Sequence, residues 1–281
     1  MEKTPHPAMP AIALSDWPQR SGPAAVRVPF RRRACIPAWP ILPTCFSRLP
    51  LLLLALFLLT PRGASAAGYG GEPLDFFREN QPQVYEFALK QSRDLYRTLR
   101  NQGFPYPLEA AAVVFPELLR YSTFQDEIES LANEILATAS EESDGFSIGL
   151  MQMKPLFAST VEEIVSADPG LTKRYPSIAL AGDRSTAAAR RERILRLRET
   201  EFQTEYLKAF VEYEVRVLRL VGEDRECRIK YLSAAYNLGI RESREPLERA
   251  FGQECFPSGR RRLYFNYQKI CLAAAGEILG P

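Results

Sequence analysis

The stretch YLKAFVEYEVRVLRLV, residues 206–221, sets the class of the fold. Tyr206, Phe210, Tyr213, Val217 and Leu220 recur at steps of four, three, four and three. Those steps line up one apolar stripe on a helix of 3.6 residues per turn. Read backwards, the helix extends to about Asp183, with Asp183 or Ser185 as its cap. Glu192 and Arg196 stand four apart on another face, as on a solvated helix. The reading is one long helix over about 183–221 that braces the core.

The same periodicity runs through most of the chain after residue 67. A first segment, 73–101, holds Pro82, which divides it or starts its main helix, and Gly103 is a plausible stop. Further helices are expected over about 108–121, 124–137, 155–165, 225–238 and 262–278, with Gly239 ending the one before it. Residues 166–182 read as irregular. Residues 140–150, SEESDGFSIGL, have loop chemistry, and a small β-hairpin near 143–152 fits their two glycines. The fold class is mainly α.

Composition bounds the function. Apolar residues make up 46% and charged residues 25%, as in a globular protein. The block LLLLALFLLT, 51–60, is too short for a bilayer, which takes roughly 20 residues. It fits the core of a signal peptide, with Ala64-Ser65-Ala66 as the cleavage pattern. Residues 1–66 are then a leader, and 67–281 one exported domain in which 67–104 form an N-terminal helical extension. The competing reading is an anchor that is never cut. The leader takes eight of 36 basic and two of 34 acidic residues, leaving 28 against 32. A mildly acidic remainder does not point to nucleic acid.

The leader also takes His6, the one histidine. Its loss excludes Ser-His-Asp and Cys-His catalysis and any His-based metal site. Neither a metal nor an organic cofactor is implied. Cys227, Cys255 and Cys271 remain, with no C-x-x-C spacing, and Cys227 with Cys255 is one pairing among those open.

Three short stretches carry chemistry. In AAAVVFPELLRYS, 110–122, Glu117 follows an apolar run and Pro116. Burial would hold such an acid protonated near neutral pH, whereas a helix start at Pro116 would favour its ionised form. It reads either as a reactive acid or as a first-turn helix charge. In SIGLMQMKP, 147–155, the glycines permit tight backbone, Gln152 offers donor and acceptor, and Met151 a polarizable wall. In AAYNLG, 234–239, Asn237 reads as a ligand contact or a helix-end residue, and Tyr236 as core or contact.

Gly149-Leu150-Met151-Gln152 followed by Pro155 resembles the GLMQ-x-x-P segment of lysozyme-like lytic transglycosylases. Goose-type lysozymes carry a similar GLMQ. Tyr236-Asn237-x-Gly239 resembles their AYNxG segment, and Tyr267-x-Lys269 a late Y-x-K that contributes a Tyr to the site. Glu117 takes the place of the catalytic glutamate. The resemblance covers roughly 105–275, with the long helix inserted between the second and third motifs. There are departures: Leu118 follows Glu117 where the family has Ser, Glu117 and Gln152 lie 35 residues apart, which is long for the family, and Leu263 stands where an acid often precedes the late Tyr.

The resemblance implies a lysozyme-like helical domain in the periplasm or cell envelope. It would cleave the β-1,4 MurNAc–GlcNAc bond of peptidoglycan glycan strands to a 1,6-anhydromuramyl product. Glu117 would be the catalytic acid, with Met151, Gln152, Tyr236, Asn237 and Tyr267 lining the groove. Asp144 is the candidate second acid for a hydrolase of the goose type, or else a solvated loop charge. A domain that binds glycan or an envelope partner without cutting is the reading from another class. A helical scaffold would leave Glu117, Gln152 and Asn237 far apart.

Overall fold

The computed structural model describes residues 72–122, 146–179, 185–240, 243–256 and 265–280, apart from the Cys255 side chain. The chain divides at residue 60, and all described residues belong to its second part. The leader, the helix expected over 124–137 and Asp144 lie outside the described residues. The protein is mainly α.

Prolines punctuate the helices. Helices α1 (Pro73–Asn80), α2 (Pro82–Asn101) and α3 (Pro107–Val113) each begin on one. So do α5 (Pro155–Ala167) and α6 (Pro169–Arg174), which follow α4, helical over 115–122. Proline suits a first helical position because its fixed φ is already helical and the missing N–H has no partner there anyway. Pro82 divides α1 from α2 as expected, and Gly103 ends that segment at φ +72°. Helix α6 lies in the stretch expected to be irregular. Asp168 caps it, accepting from the Gly170 and Leu171 N–H groups at 2.8 and 3.1 Å, so its aspartate and proline were start signals.

The long helix is two helices, α7 (Ala187–Leu197) and α8 (Thr200–Val217). Thr186, not Asp183 or Ser185, caps α7 by accepting from Ala189 N–H. Glu199 is extended at φ −97°, ψ 124°, and the chain turns there. The apolar stripe is buried at Tyr206, Phe210 and Leu220 but opens to solvent at Val217. After it come α9 (Arg225–Leu238), with its expected bounds and Gly239 at φ +126°, and α10 (Arg244–Ala250). The last helix, α11 (Tyr267–Leu279), starts later than expected because an antiparallel pair, β1 (Glu254–Phe256) and β2 (Phe265–Asn266), precedes it. Near 143–152 the described part holds one bridge, Ile148 to Met153.

Helix α3 is the hub. Every residue from Leu108 to Val113 is buried, and α2, α9 and α11 pack around it. A helix apolar on all sides belongs in a core. Its one charge, Glu109, is paired with Arg228 of α9 at 2.7 Å. A second buried charge ties α5 to α7 and α8. Glu162, fully buried, accepts from Arg193 through three contacts of 2.6–3.0 Å and from the Tyr206 hydroxyl at 2.7 Å. Cys227, half-buried, and Cys271, buried, are free thiols, so Cys227 is not bridged to Cys255.

Candidate active site

The helix expected over 108–121 breaks at Val114. Pro116 has no N–H to give. The Glu117 N–H turns to the Val114 carbonyl at 3.0 Å, three residues back, and Leu118 N–H shares that acceptor at 3.1 Å. The Val113 carbonyl, which a continuous helix would have paired with Glu117, instead accepts from the Tyr267 hydroxyl at 3.2 Å and the Cys271 thiol at 3.8 Å. The break therefore hands an acceptor to α11 and swings Glu117 out of the ladder.

Glu117 is 5% exposed. One carboxylate oxygen accepts from Arg120 at 3.0 Å and the other from Tyr267 at 3.2 Å. Arg120 is held by its own stacking over the Phe256 ring, 5.6 Å from the centroid. Burial raises the pKa of Glu117. The Arg120 charge, the Tyr267 hydrogen bond and Lys154 pull it down without cancelling the rise. Tyr267 also fits both states of the acid. With Glu117 ionised its hydroxyl donates to the carboxylate. With Glu117 protonated it donates to Val113 and accepts from the acid.

The raised pKa has a consequence for stability. Between the unfolded and folded values, the folded protein keeps a proton that the unfolded chain has released. Stability from this group is complete below the ordinary glutamate value and is lost as pH rises through the folded one. Melting curves across a pH series should show Glu117→Gln matching the unmodified protein in acid and gaining on it towards neutrality. A variant that loses stability at neutral pH would contradict the burial described here.

The GLMQ loop forms the facing wall. Ile148 and Met153 exchange backbone hydrogen bonds of 2.9 and 3.1 Å, closing the turn between them. Gly149 and Gln152 both take positive φ, +69° and +52°. Gln152 offsets the strain by donating its side-chain amide to Gly149 O at 2.8 Å, and the residue lines the cavity. Gln203 of α8 holds the loop from behind. Its amide donates to Ile148 O at 2.8 Å and Leu197 O at 2.9 Å, and its oxygen accepts from Met151 N–H at 3.0 Å. The break between α7 and α8 thus frees Leu197 O, and Gln203 satisfies it.

A Cβ on Gly149 would stand 2.2 Å from the Gln203 amide nitrogen and 2.4 Å from Leu197 O. With the positive φ added, Gly149→Ala should lower stability by about 3 kcal/mol, read by urea unfolding. A loss under about 1 kcal/mol would mean that the loop is not gripped this way.

The third wall is the end of α9. Tyr236 donates its hydroxyl to Met151 O at 2.7 Å and packs edge-on against Phe157 and Phe210. Asn237, one residue on, is exposed. A cavity of about 370 Å³ joins these walls, lined by Glu117, Arg120, Gln152, Lys154, Tyr236, Asn237 and their neighbours. Glu117, Gln152 and Asn237 share one cavity, which a scaffold reading does not predict.

Comparison with protein-family models, curated proteins and solved structures finds no match. The site stands on its geometry.

Two expected groove residues sit elsewhere. The Met151 side chain is buried and faces a second cavity, of about 320 Å³, between α2 and α8; only its carbonyl serves the site, as the acceptor for Tyr236. A turn that points Gln152 one way points its neighbour the other. Tyr267 is buried behind Glu117 and does not line the cavity. Asp144 is outside the described residues. Arg120, Lys154 and Gln203 were not expected. Arg120 had a signal, its place three after Glu117 on a helix. Gln203 had none, since its partners lie 52 and 55 residues away.

Proposed function

We propose that this protein is an exported lytic transglycosylase that cleaves the MurNAc–GlcNAc β-1,4 bond of peptidoglycan. The observation that carries the reading is a single buried carboxylate with a raised pKa, sharing a cavity with Gln152, Tyr236 and Asn237. An acid meant to protonate a leaving oxygen near neutral pH needs such a setting. Glu117 donates its proton to the glycosidic oxygen, and the C1–O bond breaks with help from the substrate's own N-acetyl group. The ionised Glu117, steadied by Arg120 and Tyr267, then takes the proton from the C6 hydroxyl as that oxygen bonds to C1. The products are a GlcNAc 4-hydroxyl end and a 1,6-anhydromuramyl end, with no water consumed.

Among the described residues, Glu117 is the only carboxylate in the cavity wall. One carboxylate suits ring closure, whereas two-carboxylate glycosidases place a second group for water or for a covalent intermediate. Digestion of purified sacculi followed by mass spectrometry of the muropeptides tests the reading. Anhydro ends support it. Reducing ends alone would make the protein a hydrolase, with Asp144 the residue to examine. Binding without any cleavage would make it a glycan-binding module. No helix among the described residues is long and apolar enough to cross a membrane.

A further inference from the structure

The cavity wall carries three charges among its described residues: Glu117, Arg120 and Lys154. Two are cations. When Glu117 is ionised, Arg120 compensates it at 3.0 Å and Lys154 is left over. When Glu117 holds its proton, the state in which it acts, both cations face the cavity without an ionised carboxylate among the described residues of that wall. Lys154 is exposed, directly after the GLMQ turn and at the capping position of α5. No side chain caps that helix, and its first turn contributes Leu156 and Phe157 to the same wall. A helix start favours negative charge, so the dipole of α5 adds to the two side chains. Neutral sugar hydroxyls do not call for this much positive potential.

We infer that the site selects glycan bearing a free carboxylate, held by Lys154 and Arg120, over neutral glycan. The inference rests on reading the cavity as a glycan site. In a muramyl strand the carboxylate is either the unsubstituted lactyl group or an acid of an attached peptide, and the recognising chemistry is the same. Binding has a second effect. A carboxylate that draws Arg120 towards itself weakens the Arg120–Glu117 pair and removes charge that favours ionised Glu117. The anionic substituent thereby helps keep the acid protonated for its first step. Lys154 is then a specificity-determining residue.

The test uses end-labelled strands in three forms: free lactyl carboxylates, the same strands converted to methylamides, and strands carrying peptides. Binding is read by fluorescence anisotropy with the full chain, and cleavage is followed in parallel. A carboxylated form should bind roughly tenfold more tightly than the methylamide form, since charge-assisted hydrogen bonds are about twice as strong as neutral ones. Whichever of the first and third forms binds better identifies the source. Lys154→Met should collapse the ratio towards one, and Lys154→Arg should restore it. Equal binding of carboxylated and methylamide strands, no binding of any strand, or a ratio that survives Lys154→Met would overturn the inference. Carboxylate-dependent binding with no cleavage would uphold it and sink the transglycosylase reading instead.

Discussion

Glu117→Gln is expected to lower cleavage of purified peptidoglycan about a thousandfold, within the range of a positioned general acid, while leaving the fold intact. Gln keeps the size of Glu; its amide oxygen can accept from Arg120 while its NH2 donates to the Tyr267 hydroxyl, which in turn donates to Val113 O, so the wall of the cavity survives. What it lacks is the transferable proton. Nothing else described in the cavity replaces it: Arg120 and Lys154 are cations in the wrong role, and the Tyr236 hydroxyl has a pKa raised well above its ordinary value by burial. Release of anhydromuropeptides is the measurement. Equal release by variant and unmodified protein would remove Glu117 from the reaction. The stability measurements proposed above use the same variant and separate lost chemistry from lost fold.

The second large effect is structural. Removing one partner of the Glu162–Arg193 pair should lower stability by about 3–5 kcal/mol, because the survivor is a buried charge that has lost the opposite charge beside it. Glu162→Leu takes from Arg193 the carboxylate it meets at 2.6 Å, and Arg193→Met leaves the buried Glu162 carboxylate with the Tyr206 hydroxyl but no cation from Arg193. Made together, they should recover most of the loss, since a pair of well-packed apolar groups can match a buried ion pair. Tyr206→Phe takes away one hydrogen bond of the four and should cost only about 1–2 kcal/mol. Guanidinium unfolding of the four variants gives the numbers. Additive losses in the double variant would show that the two charges do not interact as their geometry indicates.

How much could be read beforehand depended on the range of the interactions. Local rules located most helices: prolines at their starts, and a continuous period that gave α9 its bounds. They failed where a distant group decides. Nothing in LRLRETEFQ, 195–203, signals a break, because the carbonyl it frees is satisfied by a side chain that also serves a loop some 50 residues earlier. Among site residues, Glu117 and Gln152 were legible from an apolar run and a glycine turn. Tyr267 was placed in the right neighbourhood but on the wrong side of the carboxylate. Met151 was misplaced because two successive residues in a tight turn cannot face one way. Lys154 carries no local signal, since its place in the cavity wall depends on how the first turn of α5 packs.

Tyr267 and Glu117 stand 150 residues apart in sequence. A chain growing from its N-terminus makes the apolar run, the glycine turn and α9 long before it makes the residue that backs the acid. Until α11 docks, the Val113 carbonyl has neither its hydroxyl nor its thiol donor, and the pocket that keeps the proton on Glu117 is open to water. Contacts this far apart close late and slowly. The proposed ability to cut a cell wall is therefore withheld from every partly made or partly folded form of the chain. It arises only once α11 has docked behind Glu117.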